Sequence, residues 1–162
     1  MRLTSSDFVH LGPLDPAFAF CAPDPEAHLR PGDNRNPALA WTEPPYGTRS
    51  LVLVCVDPDV PAKPDDVNQE GCTVPASLPR CNFYHWVLVD LPPRAGAVEH
   101  GSCSSGVIAH GKKNPPGPAG SRQGLNDYTN WFARDAAMAG PYYGYDGPCP
   151  PWNDARLHHY HF

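Results

Sequence analysis

A mainly β globule is the fold this chain predicts, and three observations predict it. Proline and glycine occur 22 and 14 times in 162 residues, leaving long helices little uninterrupted room and favouring short strands joined by ordered loops. Two apolar runs, Leu51 to Val56 and Phe83 to Leu91, are rich in β-branched and aromatic residues, and each is soon followed by proline, as buried strands are. Hydrophobic residues make up 41% of the chain, and the prolines flank apolar runs instead of forming a repeat, unlike a disordered composition. The length suits one domain, residues 1–162, burying roughly 70% of its unfolded surface.

Taken in order, residues 1 to about 50 read as loops. Gly12-Pro13, Pro31-Gly32-Asp33, Asn36-Pro37 and Pro44-Pro45 are turn signals, with Ala38 to Trp41 a short strand between them. Leu51 to Val56 reads as a strand buried on both faces, ended abruptly by Asp57-Pro58-Asp59-Val60-Pro61. Ala62 to Arg80 is polar, interrupted by proline, and of a length that often covers a site. Phe83 to Leu91 is the second apolar strand, with His85 near its start, and Pro92-Pro93 closes it. Gly106 to His110 suggests a third short strand, and Asn126 to Met138 one or two helical turns before Gly140-Pro141. At the end, the rigid stretch Gly147-Pro148-Cys149-Pro150-Pro151 leads into a histidine-rich strand. Its two-residue period puts His158 and Tyr160 on one face and His159 and His161 on the other.

Composition excludes several classes of function. The net charge is −5 and only Lys112 and Lys113 are adjacent basic residues, so no basic stripe exists to neutralise nucleic-acid phosphates. The first residues show no apolar leader, and no apolar stretch approaches the roughly 18 residues that span a bilayer. The expectation is a cytoplasmic protein without a transmembrane segment. Six cysteines (Cys21, Cys55, Cys72, Cys81, Cys103 and Cys149) form no C-x-x-C pair, and free thiols are expected in a reducing compartment. A Cys72–Cys81 staple and a zinc site are the alternatives, although the spacings match no standard ligand pattern.

The polar groups at the strand ends are the candidate site. Asp57 and Asp59 close the first buried strand and His85 opens the second, so a carboxylate and an imidazole can meet in one pocket, the carboxylate fixing the ring's tautomer. Singly, the aspartates also suit turn chemistry, His85 a core position, and His158 and Tyr160 an edge strand.

Five blocks in order carry a resemblance that spans nearly the whole chain: G-D-N-R-N-P-A-L-A-W at 32–41, D-P-D-V-P at 57–61, F-Y-H-W-V-L-V-D-L-P at 83–92, R-Q-G-L-N-D-Y at 122–128, and Y-Y-G-Y-D-G-P-C-P-P with L-H-H-Y-H-F from 142 onward. With these the chain resembles the phosphatidylethanolamine-binding protein family, in its bacterial branch of Raf kinase inhibitor-like proteins. The resemblance implies an antiparallel β-sandwich with small peripheral helices, and a pocket for phosphate-type anions and phospholipid head groups. By position it implies Asp57 as the pocket aspartate, Asp59 as its support, Pro61 closing that segment, and His85 as the strand histidine. It further implies Gly147, Pro148, Cys149, Pro150 and Pro151 as the proline loop, and His158 with Tyr160 as the final pair. Restraint of a kinase or protease is implied for some relatives.

Two departures stand out. An aromatic residue that some members carry five positions before the strand histidine is Arg80 here, so head-group selectivity does not transfer. The family's usual strand and helix after the His-x-Tyr pair have no counterpart in residues 1–162, which leads to the expectation of a C-terminally short domain whose strand edge invites oligomerisation.

The chemistry expected of such a pocket is binding without catalysis or cofactor. His85, His158, the Tyr160 hydroxyl and amides near Cys149 would donate to the anion. Asp57, repelled by a phosphate, would serve a histidine or carry a proton, and affinity would rise as pH falls through the histidine range near 6.5. The alternative is a metal-dependent hydrolase using the Asp/His/His set. No G-x-S-x-G nucleophile motif is present.

Overall fold

The computed structural model describes residues 1–162 and is mainly β, with antiparallel sheets. Strands β1 (Leu3–Thr4), β4 (Leu39–Trp41) and β7 (Gly96–Val98) form one sheet in the order β1-β4-β7. Strands β5 (Leu51–Pro61), β6 (Arg80–Leu91) and β8 (Arg122–Gln123) form a second in the order β5-β6-β8, and β2 (Cys21–Asp24) pairs with β3 (His28–Pro31) in a hairpin. One apolar core joins the two larger sheets, with Leu39, Trp41 and Val98 meeting Leu53, Cys55, Trp86, Leu88 and Leu91. Each fully buried large side chain of this kind contributes about 1.5–3 kcal/mol. A single helix, α1 (Tyr128–Trp131), lies at the periphery with the 3-10 turn Pro16–Phe18.

The long β5–β6 pair positions the site through its irregularities. Along β5, Leu53, Cys55, Asp57, Asp59 and Pro61 are buried, while the residues between them are half-buried or exposed. The strand is therefore covered on one face, not on both as its apolar run suggested, because β5 packs on the core from one side only. Asp57, Asp59 and Pro61 extend that inward row instead of ending the strand. Proline normally terminates a ladder. Here the register shifts between Asp57 and Val60, and the local bulge accommodates Pro58.

A second bulge aims His85. Cys55 pairs with Trp86 and Val56 with Tyr84, leaving His85 as the extra residue on β6, so that His85 and Trp86 are buried consecutively. Bulges re-aim a side chain in this way and increase the local twist.

Three further expectations change. Gly106 to His110 forms turns, not a strand, with Gly106 and Gly111 at positive φ. The histidine-rich end is irregular and holds one bridged pair, Val56 with His161, although the alternation survives. His158 and Tyr160 turn inward, while His159 and His161 are exposed. Finally, Cys21 and Cys149 form a disulfide with Cα atoms 5.0 Å apart, whereas Cys55, Cys72, Cys81 and Cys103 are free. The thiol expectation thus fails for one pair. No helix is long and apolar enough to cross a membrane.

Candidate ligand-binding site

A cavity of about 210 Å³ opens where the bulged parts of β5 and β6 meet the proline loop and the chain's last residues. Asp57, Pro61, His85, Cys149, Pro151, His158 and Tyr160 line it together, as the sequence expectation grouped them. Asp59 and Gly147 do not. Asp59, buried in the same row, is spent beside the cavity, accepting from Arg156 Nε at 2.6 Å and His159 Nδ1 at 2.7 Å. Gly147 packs behind the wall, where a Cβ would lie 1.8 Å from the Phe18 carbonyl oxygen. The sequence reading missed the apolar wall of Leu29, Phe83, Tyr128, Trp131 and Phe132. Tyr128 and Trp131 reach it from α1, held against β6 by the Tyr84 N–H donating to the Asp127 carboxylate at 2.7 Å.

Asp57 does two jobs. Its Oδ1 accepts the Asp59 N–H at 2.8 Å, which is turn chemistry, and its Oδ2 accepts His158 Nδ1 at 2.6 Å. The other His158 nitrogen lies 3.1 Å from the Asp154 carboxylate. Arg80 closes the chain of charges with two bonds to Asp154, at 2.5 and 3.0 Å, so it supports the site from behind and does not line it. Carboxylates accept only, so His158 uses both ring N–H groups and is an imidazolium. Burial would lower its pKa, but the bonds to Asp57 and Asp154 outweigh burial and raise it above the ordinary value. His158 therefore holds charge but has no N–H left for a ligand, which corrects the expectation that it donates.

His85 is held differently. Its Nδ1 lies 2.8 Å from the Asp146 carbonyl oxygen, and burial lowers its pKa despite that bond. The Asp146 carboxylate is gripped by Lys112 Nζ at 2.5 Å, Asn34 Nδ2 at 2.7 Å and Asn126 Nδ2 at 2.8 Å. Asn34, Asn126 and Asp146 come from the first, fourth and fifth sequence blocks, which thus converge on the post behind His85. Two polar atoms at the site, His85 Nε2 and Tyr160 Oη, are buried and lack any partner. The proline loop has N–H groups only at Gly147 and Cys149, and Gly147 gives its own to Asn34 at 2.8 Å. That leaves Cys149 as the one amide the loop can offer. No group of three or more His, Cys, Asp or Glu side chains is placed to hold a metal ion.

The two histidines should oppose each other in the pH dependence of stability. The raised His158 pKa contributes stability that is fully present below about 6.5 and lost as pH rises through the folded value; the lowered His85 pKa contributes stability present above about 6.5 and lost as pH falls through its folded value. Unfolding free energy is expected to pass through a maximum between the two. Asp57→Asn should bring the His158 ring titration, followed by NMR, down toward the ordinary value. An unmoved midpoint would show that Asp57 does not hold that proton.

Comparison with known proteins gives a consistent picture. The family model described as phosphatidylethanolamine-binding protein matches residues 4–162. A UPF0098 protein of Methanothermobacter thermautotrophicus is 29% identical over 138 residues, covering 85% of this chain and 64% of that protein. The Escherichia coli UPF0098 protein YbhB is 30% identical over 131 residues, covering 81% and 58%. The chain thus spans less than two thirds of the length of these curated relatives. Among solved structures, E. coli YbcL, described as a new member of the mammalian PEBP family, superposes with a TM-score of 0.61 at 24% identity, covering 98% of this chain and 71% of that one. A putative phosphatidylethanolamine-binding protein homologue, CT736 of Chlamydia trachomatis, gives 0.55 at 23% identity, covering 98% and 69%. Both share the fold.

Proposed function

Because the chain belongs to the phosphatidylethanolamine-binding protein family, we propose that its cavity is a binding site for phosphate-type anions, free or carried on a phospholipid head group. The observation that carries this reading is the pair of buried, unpartnered polar atoms, His85 Nε2 and Tyr160 Oη, on side chains that line a largely apolar cavity. A buried polar group without a partner costs about 1–3 kcal/mol, and a bound polar ligand removes that cost. Electrostatics permit an anion there. Asp57 and Asp154 are offset by His158 and Arg80, so the aspartate that would repel a phosphate is already neutralised.

The role is that of a binding module, not a hydrolase. Both nitrogens of His158 are committed to carboxylates, leaving no lone pair for a metal ion. The test is calorimetric titration with inorganic phosphate. Affinity is expected to fall on the order of tenfold as pH rises past neutrality, where phosphate takes its second charge and His158 loses its proton. Tyr160→Phe should weaken phosphate binding by about tenfold, as loss of one hydrogen bond to a charged group does. Equal affinity in the variant, with a flat pH profile, would count against this cavity as the phosphate site.

A further inference from the structure

The proton on His85 decides which kind of anion the cavity suits. A carbonyl oxygen can only accept, so the 2.8 Å contact to Asp146 puts the proton on Nδ1. In the neutral ring that leaves Nε2 as a bare lone pair, and Nε2 is buried with no protein donor. His85 is therefore an acceptor toward any ligand, the reverse of the donor role expected from the sequence.

Nothing around the ring supplies the missing proton. On β5, Asp57 is a carboxylate engaged with His158 and the Asp59 amide. From α1, the Tyr128 hydroxyl donates to the Gly147 carbonyl at 2.8 Å. Behind the ring, Lys112 is spent on Asp146 and the Tyr145 carbonyl. His158 has both N–H groups on carboxylates. The Tyr160 hydroxyl, whose ring lies 5.4 Å from that of His85 and which the Asp57 carboxylate also faces, makes no hydrogen bond to either. The two open atoms thus ask for a ligand that gives one proton and accepts another. The charges add a limit: Asp57 and Asp154 cancel His158 and Arg80, and Asp146 cancels Lys112, leaving no surplus cation for a second negative charge.

We propose that the cavity selects a phosphomonoester in its singly protonated form, the P–OH donating to His85 Nε2 and a phosphoryl oxygen accepting from the Tyr160 hydroxyl. This rests on the anion-binding reading above. A phosphodiester brings acceptors only and leaves Nε2 unsatisfied, and a dianionic monoester brings no proton and one charge too many.

Ethyl phosphate and dimethyl phosphate test the proposal, because they are isomers with the same atoms. At about pH 5 each carries one negative charge, the monoester losing its second proton near pH 6. By calorimetry, ethyl phosphate is expected to bind about ten- to a hundredfold more tightly at that pH. Its affinity should then fall toward that of dimethyl phosphate as pH rises past 6, more steeply than the diester curve, which reports His158 alone. Long-range proton–nitrogen NMR should show His85 as the Nδ1–H tautomer in the free protein, with Nε2 shifting on addition of ethyl phosphate. Equal affinities of the two isomers at pH 5, or an Nε2–H tautomer in the free protein, would overturn the proposal while leaving anion binding intact. Failure of both isomers to bind would overturn the anion reading as well.

Discussion

Reducing the Cys21–Cys149 bond is expected to lower the unfolding free energy by about 5 kcal/mol, the loop-closure value for a cross-link this distant in sequence. The two cysteines are 128 residues apart, so the bond restrains nearly the whole unfolded chain. In the folded state it has little left to do. Pro148 O already accepts the Phe20 and Cys21 amides at 2.8 and 3.3 Å, and the Tyr145 hydroxyl reaches Phe18 O at 2.8 Å. The loss should therefore appear as a lower denaturant midpoint with a larger m-value, since the reduced unfolded chain expands. Cys21→Ala with Cys149→Ala should reproduce it. Thiol counting in denaturant without reductant should find four reactive groups, Cys55, Cys72, Cys81 and Cys103. Six would show that the bond does not form.

That bond marks where the sequence stops being legible. Pairing partners cannot be deduced from cysteine spacing, and nothing local to Cys21 or Cys149 points across a sequence separation of 128. The β5 and β6 strands were legible because their apolar, β-branched runs outweigh other choices. Their bulges were not, because the extra residue at His85 leaves no mark in a pattern of apolar and polar letters. The same holds for Asp57 to Pro61, where the prolines read as a stop and the backbone instead shifts register.

The site shows the same division. Most of the expected side chains meet at one cavity, and of the two roles open to Asp57, serving a histidine or carrying a proton, its contact is with His158. Which nitrogen carries a proton could not be read, since it depends on partners brought from far along the chain. Asp146 gives His85 its tautomer and Asp154 gives His158 its charge, and neither stood out among the polar letters of the terminal block.

Lys112 was illegible for another reason: a lysine in a Gly/Pro-rich stretch reads as a solvated loop residue, yet its side chain is only 8% exposed and its partner Asp146 only 1%. Lys112→Met is expected to destabilise the fold by about 3–5 kcal/mol, the loss typical when one member of a buried ion pair is removed. Asn34 and Asn126 would still donate to Asp146, but neither carries charge. Adding Asp146→Asn to Lys112→Met should recover part of the loss, because no uncompensated charge then remains buried. That non-additivity, measured as a double-mutant cycle by equilibrium denaturation, separates the ion pair from simple packing. The lysine also grips the Tyr145 carbonyl at 2.7 Å, one residue before the Asp146 carbonyl that orients His85. Loosening it should blur the His85 tautomer in the NMR spectrum before the protein unfolds. A single variant losing less than about 1 kcal/mol, within the range of exposed pairs, would mean that Lys112 reaches solvent and that the post behind the cavity stands without it.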